Sequence, residues 1–329
     1  QLQSHAQLSL TDDQQTLTAI FNDIPTELDE KSRLMEINPF ESLRLFNRLE
    51  NSNNHHFAIF LGGAFAFDMI AMSEKLPDVP DGENTCPDFV YYLAETLVVI
   101  DHEIKSTEII ANIFSAESPT IQAQVQQQLS ARVSAIKQQL SSNITPEHIP
   151  SFPDAQSSTK QINLTESQKV SVDISDEKFC QTVEQLKENI RAGDIFQVVP
   201  SRTFSLPCID SLAAYQALKI SNPSPYMFYI KDSDFSMFGA SPESAIKYQQ
   251  NSPEGKRQVE IYPIAGTRPR GFNSDGSISL DLDSRIELEL RQDKKESAEH
   301  IMLVDLARND VARVCKAGTR YVADLLKVD

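Results

Sequence analysis

Between Ser141 and Ser175 the apolar patterning that runs through the rest of this chain lapses. Pro146, Pro150 and Pro153 stand there among many Ser, Thr and Gln residues. That composition marks a connection between folded bodies, because it offers neither an apolar stripe nor a run of strand formers. The lapse divides the chain into a first body at 1–145, a connection at 146–174 and a second body at 175–329. On both sides, runs rich in β-branched and aromatic residues mix with stretches of helical spacing, so the expected class is mixed α/β (α+β).

In the first body, Leu17 to Phe21 is a short apolar piece, and Pro39-Phe40-Glu41-Ser42 reads as the start of a helix with Leu43, Phe46 and Leu49 on its apolar face. FAIFLGGAFAFDMI, from Phe57 to Ile70, begins as a strand, and Gly62-Gly63 marks a place where the backbone turns or packs tightly. Residues 71–86 read as a surface loop. Phe89 to Ile100 reads as a strand, with His102 as a loop residue at its end, and Thr107 to Phe114 reads as another. Ser118-Pro119 then caps a one-sided surface helix marked by Ile121, Val125, Leu129, Val133, Ile136 and Leu140.

The second body opens with a helix whose buried stripe is Phe179, Val183, Leu186 and Ile190, stopped at Gly193. Ile195 to Val199 reads as a strand. Gln197 is a lone amide within it, tied to neighbouring backbone or presented to a ligand. A short helix spans Leu212 to Ile220. Asn222-Pro223-Ser224-Pro225-Tyr226-Met227 follows, a turn stiffened by two prolines that is either a rim for an apolar ligand or an ordinary strand start. Phe235 to Phe238 reads as a strand running into a bend at Glu243, an acid that suits a site or a helix start. Lys247 to Lys256 reads as a polar excursion, Gln258 to Ile264 as a returning strand, residues 268–284 as a mobile surface loop, and Arg320 to Leu326 as strand-like.

The stretch from Ile261 to Asp310 carries the most chemistry. In Ala265-Gly266-Thr267 the glycine permits close backbone approach to a ligand, and the threonine adds a hydroxyl. KKESAEHIMLVDLARND reads as a helix with Glu296 and Glu299 three residues apart on one face, continued by Leu303 and Leu306. Two readings stay open at this point. If the face is buried, paired carboxylates need a counter-charge, and Mg²⁺ is a candidate. If it is solvated, they are first-turn acids favoured by the helix dipole.

The formal net charge of −17 argues against a general nucleic-acid binder, although a local Arg or a metal can still attract an anionic small substrate. The four cysteines are scattered without a CxxC or Cys/His cluster, which excludes an obvious zinc site and suits a reducing cytoplasm. No apolar run reaches membrane-spanning length, and no signal peptide is recognisable.

AGDIFQVVPSR, NPSPYMF, FGASPES, YPIAGTRPRG and KESAEHIMLVDLARND, in that order, resemble the anthranilate synthase component I family of chorismate-utilising enzymes. GGAFAFD, CPDF and YYLAETLVVIDH resemble its N-terminal region, so the likeness runs from roughly Pro39 to Asp329. The resemblance implies two facing β-sheets with helices outside. It implies a reaction in which chorismate loses its hydroxyl as ammonia adds, pyruvate is eliminated and the ring becomes aromatic. It further implies Mg²⁺ on the ring carboxylate, ammonia from a glutamine amidotransferase partner subunit, and inhibition by tryptophan at a separate site.

Carried over by residue, the resemblance assigns metal ligation to Glu299, catalytic positions to Gln197, Glu243 and Glu296, and substrate binding to Gly266 and Thr267. It assigns the tryptophan pocket to Asn222, Pro223, Ser224, Pro225, Tyr226 and Met227. Water-using relatives carry Lys where Gln197 stands. Aminodeoxychorismate synthases, the alternative within the enzymes, often carry Lys where Ala265 stands. Both positions therefore favour the anthranilate product. Segments that complete the family's site, among them an acid–base His and a second metal-ligand Glu, have no match here, nor has the Leu-Leu-Glu-Ser segment of the tryptophan pocket. The expectation is a fragment inactive alone. A non-catalytic body that binds tryptophan or docks a partner is the alternative outside the enzymes.

Overall fold

The computed structural model describes residues 6–13, 15–25, 27–46, 48, 55, 57–76, 86–114, 118–142, 170–250 and 257–328. The chain divides into two compact units, Gln1–Pro146 and Glu147–Asp329. The Ser- and Pro-rich connection lies outside the described residues as far as residue 169, as do residues 251–256 of the polar excursion.

In the first unit, β1 (Ala6–Leu10) and β2 (Leu17–Phe21) form an antiparallel hairpin. Two short helices follow, α1 (Glu30–Met35) and α2 (Phe40–Phe46). Buried Asn38 sets the start of α2. Its amide donates to the Glu36 carbonyl at 3.1 Å, and its side-chain oxygen accepts from the Phe40 amide at 3.0 Å. Strand β3 (Leu61–Phe65) pairs antiparallel with β4 (Phe89–Leu93). The glycine pair lies inside β3 and serves close packing, since a Cβ on Gly63 would stand 2.7 Å from the Tyr91 Cα. Phe65 beds against Phe40 and Tyr91, with ring centroids 4.9 and 4.7 Å apart, and so joins α2 to this ladder.

The single strand expected from Phe89 to Ile100 is two. A break at Ala94-Glu95 separates β4 from β5 (Thr96–Asp101), which pairs instead with β6 (Ser106–Ala111). The break is held by backbone bonds from the Ala94 amide to the Phe60 carbonyl (3.0 Å) and from the Asn112 amide to the Glu95 carbonyl (2.8 Å). Helix α3 (Pro119–Ser141) is capped by Ser118 with Pro119 in its first turn and buries only Leu129, as a one-sided surface helix should.

In the second unit, β7 (Ser171–Val172) pairs with β8 (Phe204–Ser205) on either side of α4 (Asp176–Ala192). Ser175 caps α4 through the Lys178 amide, Asp176 and Glu177 occupy its first turn, and Gly193 ends it in the left-handed region at φ 84°. Arg202 pins this corner. Its guanidinium lies 5.1 Å from the Phe179 ring centre and 4.8 Å from that of Phe204, and it pairs with Asp176.

Helix α5 (Ser211–Ser221) packs on the antiparallel pair β9 (Tyr226–Lys231) and β10 (Ser236–Ser241) through Tyr215, Tyr229 and Phe238. Strand β11 (Lys247–Gln250) pairs with β12 (Arg257–Glu260). Helices α6 (Leu280–Gln292) and α7 (Lys294–Val314) close the order.

The mixed α+β class holds. Among the described residues the strands pair two by two, in six antiparallel ladders. Two expected strands are absent and a third, Gln258 to Ile264, is cut short. Ile195 to Val199 is irregular chain, bent at Phe196, with no ladder partner among the described residues, and Gln197 is exposed rather than buried in an apolar run. Strand β12 ends at Glu260, so Ile261 to Ile264 is irregular. Arg320 to Leu326 is irregular too, flanked by backbone of positive φ at Gly318 and Leu326. Residues 268–284 are not one mobile loop. A bridge joins Phe272 to Ile278, and α6 begins at Leu280, its exposed face laced by Asp281–Arg285 and Glu287–Arg291 pairs at i, i+4.

Candidate active site

Asp293 organises the junction of α6 and α7. Its amide donates to the Glu289 and Leu290 carbonyls at 3.0 and 3.3 Å, which closes α6. Its carboxylate accepts from the Lys295 amide at 2.9 Å and the Glu296 amide at 3.2 Å, which opens α7. The Glu296 amide first, then the Lys295 amide and the charge of Arg268, hold the Asp293 carboxyl below its ordinary value.

Asp293-Lys294-Lys295-Glu296 has the capping-box spacing, in which the acid at the third helical position would return to the capping residue's amide. Here that amide is already engaged by α6. The Glu296 carboxylate turns instead to the loop before α6 and lies against Gly266, where a Cβ would stand 2.7 Å from its carboxyl carbon. A side chain at 266 would have to displace the Glu296 carboxylate, and glycine leaves it in place.

Arg268 completes the arrangement. Its Nη1 donates to the Thr267 carbonyl at 2.9 Å and to Glu296 Oε1 at 3.4 Å, while Nη2 donates to Asp293 Oδ2 at 2.8 Å. The side chains of Arg268 and Glu296 are only 24% and 18% exposed, so water screens their pair less than it screens the helix-surface pairs. A second arginine fixes the far end of the loop. Arg270 makes a two-pronged pair with Asp283, with Nε 2.9 Å from Oδ1 and Nη2 2.7 Å from Oδ2, and the same carboxylate accepts from the Gly271 amide at 2.9 Å. Sequence reasoning passed over Arg268 and Asp293. The capping-box spacing around Asp293 was the signal available for the second.

The remaining expected residues fall as follows. Thr267 is exposed beside Gly266. Glu299 lies one turn beyond Glu296 on α7, half-buried, with no side-chain hydrogen bond or ion pair among the described residues. Farther along this face Leu303 is half-buried and Leu306 is exposed, so the apolar continuation is only partly covered. Glu243 is exposed in a turn after β10, where the Ser241 hydroxyl donates to its carbonyl at 3.1 Å and accepts from its amide at 3.2 Å. Gln197 is exposed on the irregular segment after α4. Asn222 closes α5, Pro223 to Pro225 form the turn, and Tyr226 and Met227 open β9 opposite Ser241 and Ala240. The structure thus brings Gly266, Thr267 and Glu296 together, and leaves Gln197, Glu243 and the Asn222–Met227 turn on separate segments.

Among the described residues no group of three or more His, Cys, Asp or Glu side chains is gathered for a metal ion. The donor chemistry nevertheless fits Mg²⁺, which commonly takes one or two carboxylates and fills its remaining positions with water and an anionic substrate. Among the described residues Glu299 offers a hard carboxylate oxygen without a paired cation, whereas Glu296 shares the Arg268 guanidinium with Asp293. Among the described residues no helix is long and apolar enough to cross a membrane.

Residues 4–329 match the model of the chorismate binding enzyme family, and the chain belongs to that family. Within it, the chain is similar to anthranilate synthase component 1 of Escherichia coli, with 52% identity over 303 residues that cover 92% of this chain and 54% of that protein. The component of the same name from Vibrio cholerae is 51% identical over 314 residues, covering 95% and 56%. The chain therefore spans about half the length of these relatives. The crystal structure of anthranilate synthase component I from Streptococcus pneumoniae shares the fold, with a TM-score of 0.63 at 23% identity over 94% of this chain and 59% of that one.

Proposed function

We propose that this chain carries the acidic-helix side of an anthranilate synthase component I site. In that reaction chorismate and ammonia give anthranilate, pyruvate and water. The observation that carries the reading is the seating of Gly266-Thr267 against Glu296, with Glu299 one turn on. It puts a hydroxyl, a bare backbone and two carboxylates within one small region, in a chain half identical to the relatives of that name.

The roles follow from the chemistry of each group. Thr267 presents its hydroxyl and Gly266 its backbone to the substrate. Glu299 would hold Mg²⁺, which when bound would neutralise the substrate's ring carboxylate beside an acidic helix. Glu296 and Glu243 are the candidates to move the proton that the departing hydroxyl needs, since a poor leaving group requires a proton donor. Gln197 is a neutral amide without a basic nitrogen, so it cannot activate water, which favours ammonia as the nucleophile. Ala265 has no nucleophilic atom, which argues against the aminodeoxychorismate reading.

We assign residues 1–145 to the N-terminal region of the component and 175–329 to the first part of its chorismate-binding region. The Asn222–Met227 turn is the proposed edge of a tryptophan site. A glutamine amidotransferase subunit is the proposed source of ammonia, and the cytoplasm the proposed location.

The test is anthranilate fluorescence with chorismate, Mg²⁺ and an ammonium salt at alkaline pH. The chain is assayed alone and together with a polypeptide carrying the remaining length of the Escherichia coli relative. Anthranilate formed by the pair, and abolished by Glu299→Gln in this chain, supports the reading. A product other than anthranilate, or no turnover from a pair whose folding is verified by circular dichroism, sinks it.

A further inference from the structure

We propose that Arg268 is a positioning residue that locks the substrate-facing loop to the catalytic carboxylate; its meaning for catalysis rests on the function proposed above. One nitrogen of its guanidinium, Nη1, touches both the Thr267 carbonyl at 2.9 Å and Glu296 Oε1 at 3.4 Å. It therefore fixes the peptide that presents the Thr267 hydroxyl relative to the carboxylate facing the same space. The other nitrogen anchors the pair to Asp293, the residue that caps α6 and α7 at once. The loop supplies no ladder bonds of its own between Ile261 and Gly271, so side-chain tethers decide where its backbone sits. With Gly266 pressed on Glu296 on one side and Arg268 on the other, the carboxylate is held from two directions. The two nitrogens of a planar guanidinium reach all three acceptors, whereas an ammonium brings a single nitrogen. Arg270 on Asp283 holds the loop's far end but touches neither Thr267 nor Glu296 among the described contacts, so the coupling runs through Arg268.

The experiment compares wild type, Arg268→Ala, Arg268→Lys and a control, Arg285→Ala, which removes an exposed pair on the outer face of α6. Backbone hydrogen–deuterium exchange is read on this chain. It is expected to rise at residues 265–268 and around Glu296 in Arg268→Ala, and to stay at the wild-type level there in the control. Kinetics are read in the two-polypeptide assay. Misplacing a reacting group by about 1 Å costs on the order of 100-fold in rate. Arg268→Ala is therefore expected to lose about that factor in kcat with KM changed only about threefold. Arg268→Lys is expected to keep the thermal midpoint but recover little of kcat. Unchanged exchange at 265–268 in Arg268→Ala overturns the tether. Full kcat in Arg268→Lys overturns the requirement for the fork. A wild-type pair that makes no anthranilate defeats the proposed function, while the exchange result still decides whether Arg268 holds the loop.

Discussion

Two irregular segments of the second unit have similar composition and opposite fates. Ile195 to Val199 reads as a strand, as does Gln258 to Ile264, yet neither Ile195 to Val199 nor the Ile261 to Ile264 end of the second joins a ladder among the described residues. The second leads into a loop pinned by Arg268 and Arg270 to three acids of α6 and α7, with Gly266 packed on a side chain. The first has Phe196 and Val199 at 92% and 81% exposure and carries Gln197 into solvent. A strand needs a partner for its backbone groups. Where none is available, charge-assisted side-chain bonds can still fix an extended backbone, and apolar side chains alone cannot. The pinned segment is thus built before any ligand arrives, whereas Gln197 has no tether of its own among the described residues.

The sharpest way to break this comparison is at Gly266. Gly266→Ala places a Cβ 2.7 Å from the Glu296 carboxyl carbon and must push that side chain aside. The clash is with a flexible side chain, so the expected stability loss is about 1–3 kcal/mol. If Glu296 moves the proton as proposed, the loss of anthranilate formation should be on the order of 100-fold, the cost of misplacing a reacting group by about 1 Å. Urea unfolding and the fluorescence assay, run on the same preparation, separate the two. Equal activity in the variant would show that Glu296 need not lie against residue 266.

At the other segment the expected order is reversed. Gln197→Ala should leave stability within about 0.5 kcal/mol, since an exposed side chain has no packing to lose. If the amide serves the nucleophile, turnover with ammonium falls by roughly tenfold, the size of one lost polar contact of about 1.4 kcal/mol. A measurable shift in the urea midpoint would mean that residues 195–199 are packed in solution. Unchanged turnover would remove Gln197 from the site.

How much of this was legible before the structure depends on whether the signal was local. The caps of α3 and α4 were legible because a Ser, a Pro and a Gly at fixed offsets fulfil needs that the helix end itself creates. Gly193→Ala, which forces a Cβ onto backbone at φ 84°, should cost about 1 kcal/mol of α4's stability, and Ser175→Ala about as much. The pairing Glu296–Glu299 was legible as spacing, but its environment was not. Arg268 lies 28 residues before Glu296, and no local rule says that the two will meet. Helix α6 was missed for a different reason. Its acids and arginines read as loop polarity unless paired at i, i+4, and Ser279 makes no side-chain cap bond to announce it. The strands expected at Ile195 and Arg320 failed because strand formation depends on a partner elsewhere in the chain, which alternation and β-branching cannot supply.

The smallest expected effect tests whether the pins contribute to folding as well as to geometry. The Asp283 carboxyl is held below its ordinary 3.8, first by the hydrogen bond from Arg270 and then by the Gly271 amide. Asp293 is held below the same value, chiefly by the Glu296 amide. A carboxyl with a lower value in the folded chain binds fewer protons folded than unfolded near that pH. Its contribution is therefore fully present above about 3.8–3.9, the unfolded value, and is lost as the pH falls through the folded one. Replacing Asp283 by Asn keeps the side chain's shape and removes the titration. The urea midpoint of Asp283→Asn, followed from pH 7 down to pH 3, should start lower than wild type and fall less steeply, so that the two curves converge at the acid end. Both side chains keep some exposure, 23% and 32%, so solvent screens part of the charge and the expected gap is small. A constant gap at all pH values would mean that Arg270 holds Asp283 by shape and not by charge, and would make the loop's attachment to α6 independent of the ionised carboxylate.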